Sequence, residues 1–172
     1  MTRSLKARAL QWLAQREQSR VELRRKLLPH AAAEDAAAAE AGVPPPELTP
    51  ALRVEAVLDW LEAHRYLSPE RFAEARVHAR SGRFGNLRIR QELQQHQVAL
   101  SPDEAQALKD SELNRARAVR ERKFSSWPAD AAERAKQARF LAGRGFSPEV
   151  IGRALRTARR ADDTDTADGS LD

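Results

Sequence analysis

The chain of 172 residues is expected to be all-α, with three tandem three-helix repeats forming an elongated, curved, modular body. Three observations predict this. Ala, Leu, Arg, Gln and Glu dominate the composition, and β-branched residues are few, which favours helix over sheet. A hydroxyl residue followed by proline recurs as Thr49-Pro50, Ser68-Pro69, Ser101-Pro102 and Ser147-Pro148. Such a pair starts a helix, because the hydroxyl accepts from an orphan backbone N–H and proline at the first helical position has no N–H to leave unpaired. Apolar residues also recur at helical spacing, most clearly Val54, Val57, Leu58 and Leu61.

The elements follow in order. Residues 4–17 put Leu5, Ala9, Trp12 and Leu13 on one side, opposite Arg8, Gln11 and Gln15. Residues 19–28 form a short helix carrying Leu23 and Leu27, opened by a capping box of Ser19 and Glu22. The stretch HAAAEDAAAAEAGVPPPE (30–47) is acidic, rich in Ala and Pro and without apolar periodicity, and reads as a flexible insertion. Helices are then expected over 50–65, 69–81 with Phe72, Ala75 and Ala79, and 86–97 with Ile89 and Leu93. A brief helix over 102–108 starts at the capping box of Ser101 and Glu104. The last three span 110–123, 130–143, which ends in Phe140-Leu141, and 148–158, which buries Val150, Ile151, Ala154 and Leu155. The tail 161–172 holds five aspartates and no basic residue and is expected to be disordered.

Nine helices invite a threefold parse. The hydroxyl-proline starts at 49, 101 and 147 lie 52 and 46 residues apart, and Leu93 to Leu141 spans 48. The chain therefore parses as 4–65 with the insertion, 68–108 and 109–158. Units this small bury little core alone and share it by stacking.

The formal charge of +5 hides an asymmetry. Outside the insertion and the tail, 30 basic residues face 16 acidic ones, a balance that draws polyanions. Cysteine is absent, which excludes disulfides, thiol nucleophiles and Cys-based metal sites and fits a cytoplasmic protein. No apolar run reaches membrane-spanning length. His30, His64, His78 and His96 stand apart without ligand spacing, and no phosphate-binding glycine motif occurs, so neither an enzyme nor a cofactor is expected. Gly143-Arg-Gly145 reads as a helix end.

Two basic concentrations remain as candidate binding sites. GNLRIRQEL (85–93) points Ile89 and Leu93 to the core and groups Arg88 and Gln91 opposite, flanked by Arg90, with Arg80 and Arg83 just before it. RARAVRERK (115–123) carries Arg115, Arg117, Arg120, Arg122 and Lys123, and Arg134, Lys136, Arg139 and Arg144 follow. Guanidiniums and amides in this number grip phosphates or carboxylates. Phe124 and Trp127 are candidates for base stacking, although packing between units accounts for them more simply.

The pieces YLSPERFAEARVHARS (66–81), FGNLRIRQELQQHQV (84–98) and RKFSSWPADAAERAKQARFLAGRGFSPEVIGRAL (122–155) resemble the RecX family of bacterial recombinase regulators, and SRVELRRKL (19–27) looks like that family's first-repeat helix. The insertion, the acidic tail and QQHQV, where a Lys-Gly-Ile-like end is common, depart from the family pattern. The resemblance implies a monomer that binds the filament of RecA on single-stranded DNA, with double-stranded DNA as a further, sequence-indifferent partner. It also implies inhibition of RecA, by blocked filament extension or promoted disassembly, with ATPase, strand exchange and coprotease activity suppressed. Two other classes stay open on the residues alone: a helix-turn-helix transcriptional regulator that reads DNA with GNLRIRQEL, and a general helical-repeat scaffold.

Overall fold

Local capping explains where the helices begin in the computed structural model, which describes residues 4–44 and 46–156. Among these residues it has nine helices and no strand: α1 (Leu5–Leu13), α2 (Arg20–Glu40), α3 (Pro50–Ala63), α4 (Pro69–Ser81), α5 (Asn86–Gln95), α6 (Pro102–Asp110), α7 (Glu112–Lys123), α8 (Ala131–Gly143) and α9 (Pro148–Ala154). The acidic tail, with Arg159 and Arg160 before it, lies outside the described residues. The hydroxyls of Thr49, Ser68, Ser101 and Ser147 each accept the backbone N–H three residues on. Both capping boxes form, at Ser19 with Glu22 and at Ser101 with Glu104. No described helix is long and apolar enough to cross a membrane.

The backbone divides into two compact units, one of residues 4–75 with 93–99, the other of 76–92 with 100–156, so the division passes through α4 and α5. In the first unit Leu5, Ala9, Leu23, Leu27, Ala31, Val54, Leu58, Leu61 and Leu67 form the core. Trp12, Leu13 and Val57 pack against it, half-buried. His96 packs on Phe72, with ring centroids 4.9 Å apart, and its Nδ1 lies 2.8 Å from the Ser19 hydroxyl. In the second unit Ala116, Val119, Leu141, Phe146, Val150, Ile151, Ala154 and Leu155 make the core.

The stretch expected to be a flexible insertion is helical as far as Glu40, and α2 continues past Pro29. The cause is a contact distant in sequence. Arg53 of α3 donates to the Ala31 carbonyl at 2.8 Å, pairs with Glu34 at 3.1 Å, and also holds Asp35. Ala31 is fully buried. The alanines supply helix propensity, and docking on α3 offsets the bond that proline removes. A second difference lies on α4, where Ala75 and Ala79 are exposed and Ala73 is buried beside Phe72. Arg76 and Arg80 take the positions one and two turns beyond Phe72.

The α2–α3 pairing is also ionic. Arg20 reaches Glu55, Asp59 and Glu62 at 2.7, 2.6 and 2.9 Å, and Arg24 reaches Glu55 at 2.5 Å. The Arg24 hydrogen bond does most to pull the Glu55 carboxyl down to about 2, from an ordinary value of 4.5, with Arg20 adding to it against some burial. Because the folded value is depressed, this stabilisation is complete above about pH 4.5 and is lost as pH falls toward 2. Urea unfolding of Glu55→Gln should therefore show a deficit against the wild type at pH 6 that narrows at pH 3. An equal deficit at both values would show that Glu55 does not carry the pairing.

Candidate functional site

Every candidate residue from Arg80 to Arg144 belongs to the second unit. Its organising feature is a joint between two backbone turns. The N–H of Gly85 donates to the Arg144 carbonyl at 2.9 Å, and the N–H of Leu87 donates to the Gly145 carbonyl at 3.1 Å. These bonds, with the Glu112 carboxylate accepting from the Asn86 N–H at 2.9 Å, satisfy donors that the start of α5 would otherwise leave orphaned. The approach is so close that a Cβ on Gly85 would lie 2.2 Å from the Gly145 carbonyl oxygen. Gly145, at φ +83°, would place a Cβ 2.5 Å from that of Arg88. Gly145 thus serves as more than a helix end: it is half of a backbone contact that only two glycines permit.

The joint gathers arginines from three elements around one ring. The guanidiniums of Arg88, Arg80 and Arg144 lie 4.6, 5.4 and 5.6 Å from the centroid of half-buried Phe84. The Glu92 carboxylate faces Arg80 at 2.9 Å, Arg88 at 3.7 Å and Arg76 at 3.9 Å. Arg80, Arg88 and Arg144 are three cations with the one Glu92 carboxylate between them among the described residues, so they keep a positive surplus while ring and carboxylate hold them in place. Around it Arg83, Arg90 and Gln91 are exposed, and no acidic side chain among the described residues holds Arg83 or Arg90. Lys123 and Arg139 are exposed in the same way.

Two candidates turn inward instead. Arg115 donates to the carbonyls of Ser81, Phe84 and Leu108 at 3.3, 2.8 and 3.0 Å, and to the Asn86 side chain. Burial pushes its pKa down, with Glu112 opposing. Arg120 is 3% exposed and bonds to Gln137 and to the Ser126 carbonyl. Both arginines tie the fold together, Arg115 half-buried and Arg120 buried, and a charge run gives no sign of which member the tertiary fold turns inward. Arg117 is half-buried. Arg122, although exposed, bonds the Gly82 carbonyl. Arg134 bonds the Leu155 carbonyl at 3.1 Å and Lys136 pairs with Glu133 at 3.2 Å. Arg76 and Phe84 were not among the sequence candidates. The spacing of Arg76 and Arg80, one turn apart and ahead of a lone Glu92, is the signal that would have found the cluster.

The arrangement has no constellation of nucleophile and base. Its chemistry is multidentate grip on anionic groups, suited to a phosphate backbone or to carboxylates on a protein surface.

Two family models match the chain: RecX, second three-helix domain, over residues 70–100, and RecX, third three-helix domain, over residues 110–155. The chain is 49% identical to the Regulatory protein RecX of Ralstonia nicotianae over 90% of its own length and 88% of that relative's. To the protein of the same name from Ralstonia pickettii it is 47% identical, again over 90% and 88%. For that of Herbaspirillum seropedicae the identity is 45%, over 90% and 91%.

Proposed function

The chain belongs to the RecX family, and from that premise we propose that it is a negative regulator of the RecA recombinase. It binds the RecA–single-stranded-DNA filament in its groove, blocks extension or promotes disassembly, and so suppresses ATPase, strand exchange and coprotease activity. It works as a monomer in the cytoplasm, through three helical repeats at 4–65, 68–108 and 109–158. The observation that carries this reading is the surplus of guanidiniums held by Phe84 and Glu92 and bordered by exposed Arg83 and Arg90. Contacts of this kind follow a polyanionic filament without reading its sequence. Arg122, Lys123, Arg134, Lys136, Arg139 and Arg144 of the same unit, with half-buried Arg117, are the further contacts this reading assigns to the filament.

The competing reading, α5 as a DNA-reading helix, meets a geometric obstacle. A recognition helix presents its N-terminal residues to base edges. Here Asn86 is buried, and the N–H groups of Gly85, Asn86 and Leu87, where α5 begins, donate to Arg144, Glu112 and Gly145.

The test is RecA ATPase on single-stranded DNA titrated with this protein. The expected result is inhibition that deepens with concentration and weakens with added salt. Full ATPase activity across a molar excess would sink the proposal.

A further inference from the structure

Trp127 lies between α7 and α8 and is 40% exposed. The Arg120 guanidinium covers it at 3.8 Å from the ring centroid. Arg120 is itself fixed: its Nε donates to Gln137 Oε1 at 2.8 Å and its Nη2 to the Ser126 carbonyl at 2.5 Å. Gln137, 1% exposed, donates to the same carbonyl at 3.2 Å. A buried, immobilised plate therefore backs one face of an indole that stays 40% exposed. Phe124 has a different fate, meeting Phe140 edge to face at 5.4 Å.

The surroundings of Trp127 narrow the choice of occupant. Among the described residues of the second unit, Leu87 is the other large apolar side chain so exposed. A protein-docking anchor sits among apolar neighbours that exclude water, and Trp127 lacks that setting. Its neighbourhood is cationic instead: residues 115–156 hold eleven basic residues against four acidic ones, and Lys123, four positions before the ring, is exposed. A flat, exposed ring backed by a guanidinium in a positive field suits an unpaired nucleobase, because every base offers a π-face while its phosphates seek cations. In a duplex those faces are already stacked.

We propose that Trp127 is a stacking platform for one base of single-stranded nucleic acid, with Arg120 as its rigid backing and Lys123 serving an adjacent phosphate. This rests on the single-strand filament reading above and deepens it, since part of the grip then falls on a base rather than on the backbone.

The experiment uses the full chain, fluorescently labelled oligothymidylate, and an abasic strand of equal length and charge. The wild type should bind the oligothymidylate about fivefold to tenfold more tightly than the abasic strand. Trp127→Leu should lose that preference, and Trp127→Phe should keep most of it, with unchanged helical circular dichroism. Should the leucine variant melt early, the abasic comparison in the wild type and the phenylalanine variant still decide the matter. Equal wild-type affinity for the two strands overturns the platform while leaving the filament reading intact. So does a folded Trp127→Leu protein that binds like the wild type. If such a variant keeps strand affinity yet no longer inhibits RecA, Trp127 contacts protein and the proposal is likewise overturned. Failure of the wild type to bind either strand overturns the platform, and the RecA ATPase titration then judges the broader reading separately.

Discussion

Gly85→Ala is expected to lower the stability of the second unit by about 3 kcal/mol, near the upper end for overpacking. The new methyl would meet the Gly145 carbonyl at 2.2 Å and the Phe146 nitrogen at 2.3 Å, and backbone has little room to yield. Relief requires the start of α5 to separate from the end of α8, which breaks the bonds from Gly85 to Arg144 and from Leu87 to Gly145. Arg88 and Arg144 then lose their common ring, so inhibition of RecA should weaken along with stability. Gly145→Ala should be as damaging, because a left-handed backbone adds about 1–2 kcal/mol to the clash with Arg88. Gly143→Ala is the control. It closes α8 with nothing within 4 Å of the added methyl, and should be neutral or stabilising by up to about 1 kcal/mol. Urea unfolding followed by circular dichroism reads all three. Equal midpoints for Gly85→Ala and wild type would dissolve the joint.

Arg115→Ala should cost about 3 kcal/mol as well, for the opposite reason: it removes rather than adds atoms. The carbonyls of Ser81, Phe84 and Leu108 would each lose a donor, as would the Asn86 side chain. Glu112, 5% exposed, would keep a buried charge with its nearby cation gone. Arg115→Lys should recover less than half of the loss, since one ammonium cannot reproduce a planar fork that spans several carbonyls. Alanine at Arg83 or Lys123 should change stability by no more than about 0.5 kcal/mol, because neither side chain holds a partner among the described residues. A thermal melt of the four variants separates the arginines that build the fold from those left for a partner. A melt of Arg115→Ala within a degree of wild type would remove it from the framework.

Helix starts were the most legible part of this chain, because a cap is a local event. Thr49-Pro50, Ser101-Pro102 and Ser147-Pro148 each open α3, α6 and α9 at the expected residue. Ile89 and Leu93 were equally readable, since burial at one-turn spacing is a property of a single helix. The extension of α2 was not, because it depends on Arg53, a residue on the next helix, reaching back to Glu34 and Asp35. Composition alone made those acids look solvated. The same limit applies to Arg115 and Arg120, which share a charge run with Arg122 and Lys123 and differ from them only in what the fold brings alongside. The joint of Gly85 and Gly145 pairs positions sixty residues apart, and either glycine alone reads as an ordinary turn.

On the proposed function, exposed arginines of the second unit engage the RecA filament while those turned inward build the scaffold. The most direct measurement is the inhibition of RecA ATPase on single-stranded DNA by the double variant Arg83→Glu/Arg90→Glu, with its helical content and melting midpoint recorded in parallel. Neither side chain has an acidic partner among the described residues, so both structural readings should match wild type. About tenfold more of the variant should be needed for half-inhibition, with a shallower dependence on salt. Inhibition at the wild-type concentration and salt dependence, by a variant with unaltered helicity and melting, would contradict it.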